Sequence, residues 1–131
     1  MRKPTLILLL IGVILSATSC KKEAGFGGLS TITGKVYAFD YTPNSGIIEA
    51  EGYTANIRVF IGVKNSQQIL DEIRTNVNGE FEFDRLRSGT YELWTFTDCD
   101  TCTNNETPVL KEVIIETNNE DKELSDFVIN I

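Results

Sequence analysis

The stretch Thr75-Asn76-Val77-Asn78-Gly79-Glu80-Phe81-Glu82-Phe83-Asp84-Arg85-Leu86-Arg87-Ser88-Gly89-Thr90-Tyr91-Glu92-Leu93 decides the fold. Phe81 and Phe83 alternate with Glu80, Glu82 and Asp84. That period of two puts the rings on one face of a strand and the acids on the other. Asn76-Val77-Asn78-Gly79 reads as a tight hairpin turn, because Asn and Gly accept positive φ. Arg87-Ser88-Gly89 reads as a second turn, with Gly89 permitting a sharp bend. Tyr91, just beyond it, is placed to bury its ring and return its hydroxyl to nearby backbone, as in a tyrosine corner.

The same period runs outward on both sides. Ile57, Val59, Ile61 and Val63 alternate with Asn56, Arg58, Phe60 and Gly62. Pro43-Asn44-Ser45-Gly46 is a loop, Lys64-Asn65-Ser66 closes a strand, and Asn118-Asn119-Glu120-Asp121 is the last turn. The strands fall at about 31–40, 54–63, 67–75, 80–86, 90–98, 108–117 and 123–131, and no stretch has the 3.6 period of an amphipathic helix. Seven short strands with regular turn signals predict an all-β, seven-stranded Greek-key β-sandwich.

The first residues have another character. Met1-Arg2-Lys3 precedes the apolar run Leu6 to Leu15, which is followed by Ser16-Ala17-Thr18-Ser19-Cys20. A basic start, a short apolar run and small residues before a cut site make a secretory signal peptide over 1–19. The run is shorter than the roughly 20 residues a membrane span requires. Residues 20–30, with Gly25, Gly27 and Gly28, read as a tether, and 31–131 as the folded domain. Cleavage before Cys20 removes Arg2 and Lys3 and no acid, taking the formal charge from −7 to −9. So acidic a chain repels nucleic acid, whose phosphates demand clustered Lys and Arg. The chain has no histidine. That excludes self-contained Ser-His and Cys-His nucleophile systems and the commonest zinc ligand.

Two resemblances attach to these residues. Ala17-Thr18-Ser19-Cys20 resembles the lipobox of bacterial lipoproteins, in the relaxed form with Ser before Cys that is common in Bacteroidota. The resemblance implies that Cys20 carries a diacylglyceryl group and becomes the new N-terminus. It implies a membrane partner through that lipid and a place in the cell envelope. Lys21 after the cysteine points to the outer membrane. Separately, Gly34-x-Val36, Ala55-Asn56-Ile57-x-Val59 and Thr75-x-x-x-Gly79-x-Phe81-x-Phe83-x-x-Leu86-x-x-Gly89-x-Tyr91-x-Leu93 resemble the carboxypeptidase regulatory-like and CnaB-like domains, which share a prealbumin-like sandwich. Some CnaB-like domains join a first-strand lysine to a last-strand asparagine. Lys35 and Asn130 hold the comparable positions, but Thr95 stands where that reaction needs an acid.

Three groups remain as candidate sites. Cys99 and Cys102, the only thiols besides Cys20, are expected to pair as a local disulfide in an oxidising compartment, with reactive thiols or a redox role as the competing readings. Asp98, Asp100, Asn104, Asn105 and Glu106 form an oxygen-rich loop of the kind that suits Ca²⁺, but without EF-hand spacing. The plainer reading is a solvated loop, and no metal or cofactor is expected. Trp94 and Phe96 point away from Tyr91 and Leu93, and Tyr37 and Phe39 away from Val36 and Ala38. These four form a possible ligand face for a glycan or an envelope protein. A parity flip at a bulge, or cover by Ile47-Ile48, would remove it. The expectation is a lipid-anchored binding module without enzymatic activity. The alternative is an accessory subunit of an envelope complex that pairs through an edge strand.

Overall fold

Alternation of buried and exposed residues builds two sheets in a computed structural model that describes residues 22–131. The expected signal peptide, 1–19, and Cys20 lie outside the described residues. The strands are β1 (Phe26–Tyr41), β2 (Ile48–Tyr53), β3 (Arg58–Val63), β4 (Ile69–Arg74), β5 (Glu80–Leu86), β6 (Gly89–Asp98), β7 (Glu106–Ile115), β8 (Asp121–Glu123) and β9 (Phe127–Asn130). A 3-10 turn spans Thr103–Asn105.

The first sheet is built around β1. Val36 donates its N–H to the carbonyl of Gly79, and its own carbonyl accepts from Thr54 N–H. Both of its polar groups face one edge, so β5 and β2 follow one another along that side. Along the other side run β8 and β9, both parallel to β1. The second sheet has the order β4-β3-β6-β7 and is antiparallel throughout. Between the sheets lies the core: Ile32, Val36 and Ala38 from β1, Phe81 and Phe83 from β5, Phe127 and Ile129 from β9, facing Val59, Ile61, Tyr91, Leu93, Val113 and Ile115. The chain is an all-β sandwich.

Several expectations change. Nine strands, not seven, are present among the described residues. The expected last strand, 123–131, is broken into β8 and β9, and β2 was not foreseen. Residues Ile48–Tyr53 are almost all exposed, so they carry no alternation to read. Asn76–Gly79 does turn, with Gly79 N–H donating to Asn76 O, but it does not close a hairpin. β4 pairs with β3 and β5 with β1, so the turn carries the chain from one sheet to the other.

The tether is also shorter than expected. β1 begins at Phe26, and Ser30 is buried. The tyrosine corner reaches into this segment. Tyr91 is fully buried, and its hydroxyl donates to the carbonyl of Arg87 at 2.7 Å while accepting the N–H of Gly25 at 2.9 Å. Gly28 permits the close approach: a Cβ there would stand 2.0 Å from the carbonyl oxygen of Leu86. Gly89, at φ 153°, lies against Ala24.

Candidate functional site

The four aromatics of the expected ligand face keep their parity, but they do not share a surface. Tyr37 and Phe39 leave the outer side of the first sheet, whereas Trp94 and Phe96 leave the outer side of the second. The core lies between the two pairs.

On the first sheet, Tyr37 and Tyr53 meet edge to face with centroids 5.3 Å apart, and Tyr37 meets Phe39 at 5.4 Å. The Tyr53 hydroxyl donates to Asp126 Oδ2 at 2.8 Å. That hydrogen bond, with the carboxylate's charge, raises the Tyr53 pKa. Desolvation and then Glu51 raise that of Tyr37. Ile47 and Ile48 are themselves exposed, and Ile48 is registered against Tyr41. The ladder is closed on itself: each ring packs against the next, and the Tyr53 hydroxyl already has its partner.

The second sheet offers a hollow instead. Phe60 on β3 is paired with Trp94 on β6, which is paired with Leu110 on β7. Phe60 and Trp94 stack nearly parallel, with centroids 5.5 Å apart and an interplanar angle of 11°. Phe96 meets Phe60 edge-on, and the Arg58 guanidinium stands 5.8 Å from the Phe60 centroid. Phe60 is thereby 6% exposed although it points out of the sandwich. Beside Trp94 sits Gly62, paired with Glu92. Having no side chain, it leaves the indole edge uncovered on that side. The result is a groove of about 320 Å³ with Gly62 as its floor, Trp94, Ile69 and Leu110 as apolar walls, and Gln68 and Glu92 at its rim. Ile69 and Leu110 are 56% and 57% exposed. Volumes of a few hundred Å³ lined by apolar groups with few polar ones are typical of small-ligand sites.

Sequence reasoning found Trp94 and Phe96 but missed the rest of the groove. Phe60 and Gly62 were placed on the outward parity of β3, which was the available signal. What joins them to Trp94 is cross-strand register, and alternation within one strand does not contain it.

Cys99 and Cys102 are joined as a disulfide. The bond ties the turn in which Cys102 N–H donates to Cys99 O, and Cys99 N–H donates to Asn105 O. Asp98, Asp100, Asn104, Asn105 and Glu106 line an open hollow with Asn44 at this end of the sandwich. Among the described residues no three carboxylate, thiol or imidazole groups converge in a way that would hold a cation. Lys35 faces outward and pairs with Glu80 at 3.5 Å. Asn130 lies opposite Phe39, four residues further along β1, roughly 13 Å at the rise of a strand.

No family model matches the chain, and no curated protein matches it. Solved structures similar to it include a proposed carbohydrate-binding protein of Pseudomonas aeruginosa, at 18% identity over 80% of this chain and 90% of that one, with a TM-score of 0.48. The 5-hydroxyisourate hydrolase of Klebsiella pneumoniae is similar at 13% identity over 84% and 94%, with a TM-score of 0.45. An (S)-allantoin synthase is similar at 12% identity over 78% of this chain and 42% of that one, with a TM-score of 0.41. The likeness is one of fold. Two of the three are enzymes, and this corrects the expectation that the chain has no enzymatic activity: sandwiches similar to this one include catalysts, so the architecture gives no ground for that exclusion.

Proposed function

We propose that this chain is a lipid-anchored binding module of the cell envelope, held in the outer membrane through Cys20, and that its ligand is a glycan seated in the groove beside Trp94. The observation that carries the reading is the open indole edge over Gly62, backed by a stacked Phe60 and rimmed by Gln68 and Glu92. A sugar ring has an apolar C–H face that packs on an aromatic surface and an equatorial fringe of hydroxyls. The groove offers an indole edge with Ile69 and Leu110 beside it for the first, and an amide and a carboxylate that donate to and accept from hydroxyls for the second. The ladder on the other sheet suits this less well, because Asp126 takes the Tyr53 hydroxyl.

Trp94 is the chain's one tryptophan, so its emission reports directly on the groove. Titration of the protein with envelope oligosaccharides is expected to shift that emission for a ligand of the right class. Trp94→Ala is expected to abolish binding measured by calorimetry, while unfolding stays cooperative because the indole lies outside the main core. Undiminished glycan binding by Trp94→Ala would remove the groove from the proposal.

A further inference from the structure

The geometry points to the base of the sandwich as a surface that rests on a phospholipid bilayer, the same bilayer that receives the lipid on Cys20. This inference builds on the anchor in the proposed function and adds which end of the domain faces the lipid.

It starts from how the chain enters the domain. Glu23 and Ala24 pass beside the β3–β4 turn, where Ser66, Gln68 and Leu70 line the same hollow. A Cβ built on Gly89 would come within 2.4 Å of the Ala24 Cβ, so the two backbones are in contact. Gly25 is then pinned three ways: its N–H donates to the Tyr91 hydroxyl at 2.9 Å, its carbonyl accepts from Arg87 N–H at 2.8 Å, and the residue is buried. Docked chain therefore begins at Ala24, and four Cα–Cα steps separate it from Cys20. Fully extended, they span at most about 14 Å. The ten residues of β6, which run from this base to the far end, measure roughly 33 Å. A lipid on Cys20 thus holds the base within less than half the domain's length of the membrane, whatever the tilt.

The base presents a surface suited to that position. Phe26 and Ser30 are both registered against Leu86, so the intervening residues are pushed out as a hump. Leu29 on the hump is 72% exposed, and Phe26 is 37% exposed. The Arg85 guanidinium lies 5.9 Å from the Phe26 centroid, and that of Arg87 packs on Gly27. Apolar tips flanked by long cationic side chains are the pattern of groups that enter the headgroup layer while their charges stay at phosphate level. Of the carboxylates nearby, Asp84 pairs with Arg85 and Glu120 with Lys122, while Glu23, Glu116 and Asp121 make no ion pair among the described residues. The other end carries Asp98, Asp100 and Glu106 beside the disulfide turn, with no lysine or arginine lining its hollows. An acidic tip of this kind is repelled by anionic lipid. At −9, the processed chain is too acidic for the base to adsorb by itself. The anchor supplies the affinity, and the base sets the orientation.

The test uses the full chain, processed in cells and reconstituted into vesicles of phosphatidylethanolamine with a minority of phosphatidylglycerol and a spin-labelled phosphatidylcholine as quencher. A fluorophore is placed on Leu29→Cys or, at the opposite end, on Ile47→Cys; both positions are exposed, and Trp94 emission checks the fold of each. Several-fold stronger quenching at 29 than at 47 is the expected result. Equal quenching at the two positions, or none at 29, in protein that floats with the vesicles and carries acyl mass, overturns the orientation and leaves the anchor standing. If Cys20→Ala floats as well as the parent, or the parent carries no acyl mass, the anchor fails and the orientation falls with it.

Discussion

Tyr91 shows how much one side chain organises here. Its ring fills the core between the sheets, while its hydroxyl donates to Arg87 O and accepts from Gly25 N–H. The first half was legible from Gly89-x-Tyr91: a ring after a bend that needs glycine has the core on one side and loop backbone on the other. The Gly25 half was not. Glycines at 25, 27 and 28 read as slack, yet Gly28 serves a close approach to Leu86 that any side chain would block. Composition does not distinguish a glycine kept for freedom from one kept for contact. Tyr91→Phe removes one hydroxyl, keeps the ring, and leaves the Gly25 N–H and the Arg87 carbonyl without that partner. A loss of about 1–3 kcal/mol in urea unfolding is expected, the cost of buried polar groups left unsatisfied. The Gly25 amide should also exchange with solvent faster than in the parent. A variant as stable as the parent, with Gly25 equally protected, would show that the hydroxyl contributes nothing to docking the N-terminal segment.

At the scale of strands, alternation was readable wherever one face is buried. β5 and β6 lie within a residue of the expected 80–86 and 90–98. It is silent where neither face is buried, as in β2, and it does not say which strands pair, so the Asn76–Gly79 turn reads as a hairpin although it joins the two sheets. Register also decides the state of the edges. β7 is an outer strand of the second sheet, and Lys111 is registered against buried Leu93, so its stem points inward. Its ammonium donates to Ser125 Oγ at 2.7 Å and lies 5.4 Å from the Phe127 ring. An inward charge on an edge strand obstructs pairing with another chain, and Pro108 removes a donor from the same strand. Lys111→Val is therefore expected to raise self-association, read as a concentration-dependent rise in mass by light scattering. A variant that stays monomeric throughout would assign the protection to Pro108 or to the twist of the strand. The Cys99–Cys102 disulfide is a smaller element, closing a ring with a sequence separation of 3. Loop-closure entropy for so short a ring amounts to about 2 kcal/mol. Cys99→Ser with Cys102→Ser is expected to lose no more than that in thermal or urea unfolding, with the greatest gain in amide exchange between Asp98 and Glu106. A collapse of the whole fold would contradict that local role.

For the whole molecule, the distribution of titrating groups sets how stability responds to pH. With no histidine in the chain, no side chain has an ordinary pKa between about 5 and 8. On the acid side, a hydrogen bond from Asn76 and then one from Lys35 hold the Glu80 carboxyl below its ordinary value of 4.5. Lys122 and then the Glu116 N–H do the same for Glu120. A carboxyl with a depressed folded pKa contributes stability that is complete above the unfolded value and is lost as pH falls through the folded one. The acid limb therefore begins near pH 4.5. On the basic side, burial raises the Tyr91 hydroxyl above its ordinary 10.0, against the opposing effect of its bonds to Gly25 and Arg87. Glu112 raises Lys64, and Glu120 raises Lys122, above 10.5. Groups with raised folded pKa values contribute fully below the unfolded value and lose that contribution as pH climbs through the folded one. The alkaline limb begins near pH 10. Between the limbs the thermal midpoint is expected to stay level from about pH 5 to about pH 9. Added salt should shrink the acid limb, because both carboxyls lie at the surface. Tyr91→Phe separates the contributions on the other side: it removes the one buried phenol and leaves the two lysine pairs and the raised phenols of Tyr53 and Tyr37, so its alkaline limb should fall less steeply than the parent's. Identical alkaline limbs in parent and variant would place the loss on the lysine pairs and on Tyr53 and Tyr37 instead. A step within the plateau would mean that a group outside residues 22–131, such as the α-amine of Cys20, is coupled to folding.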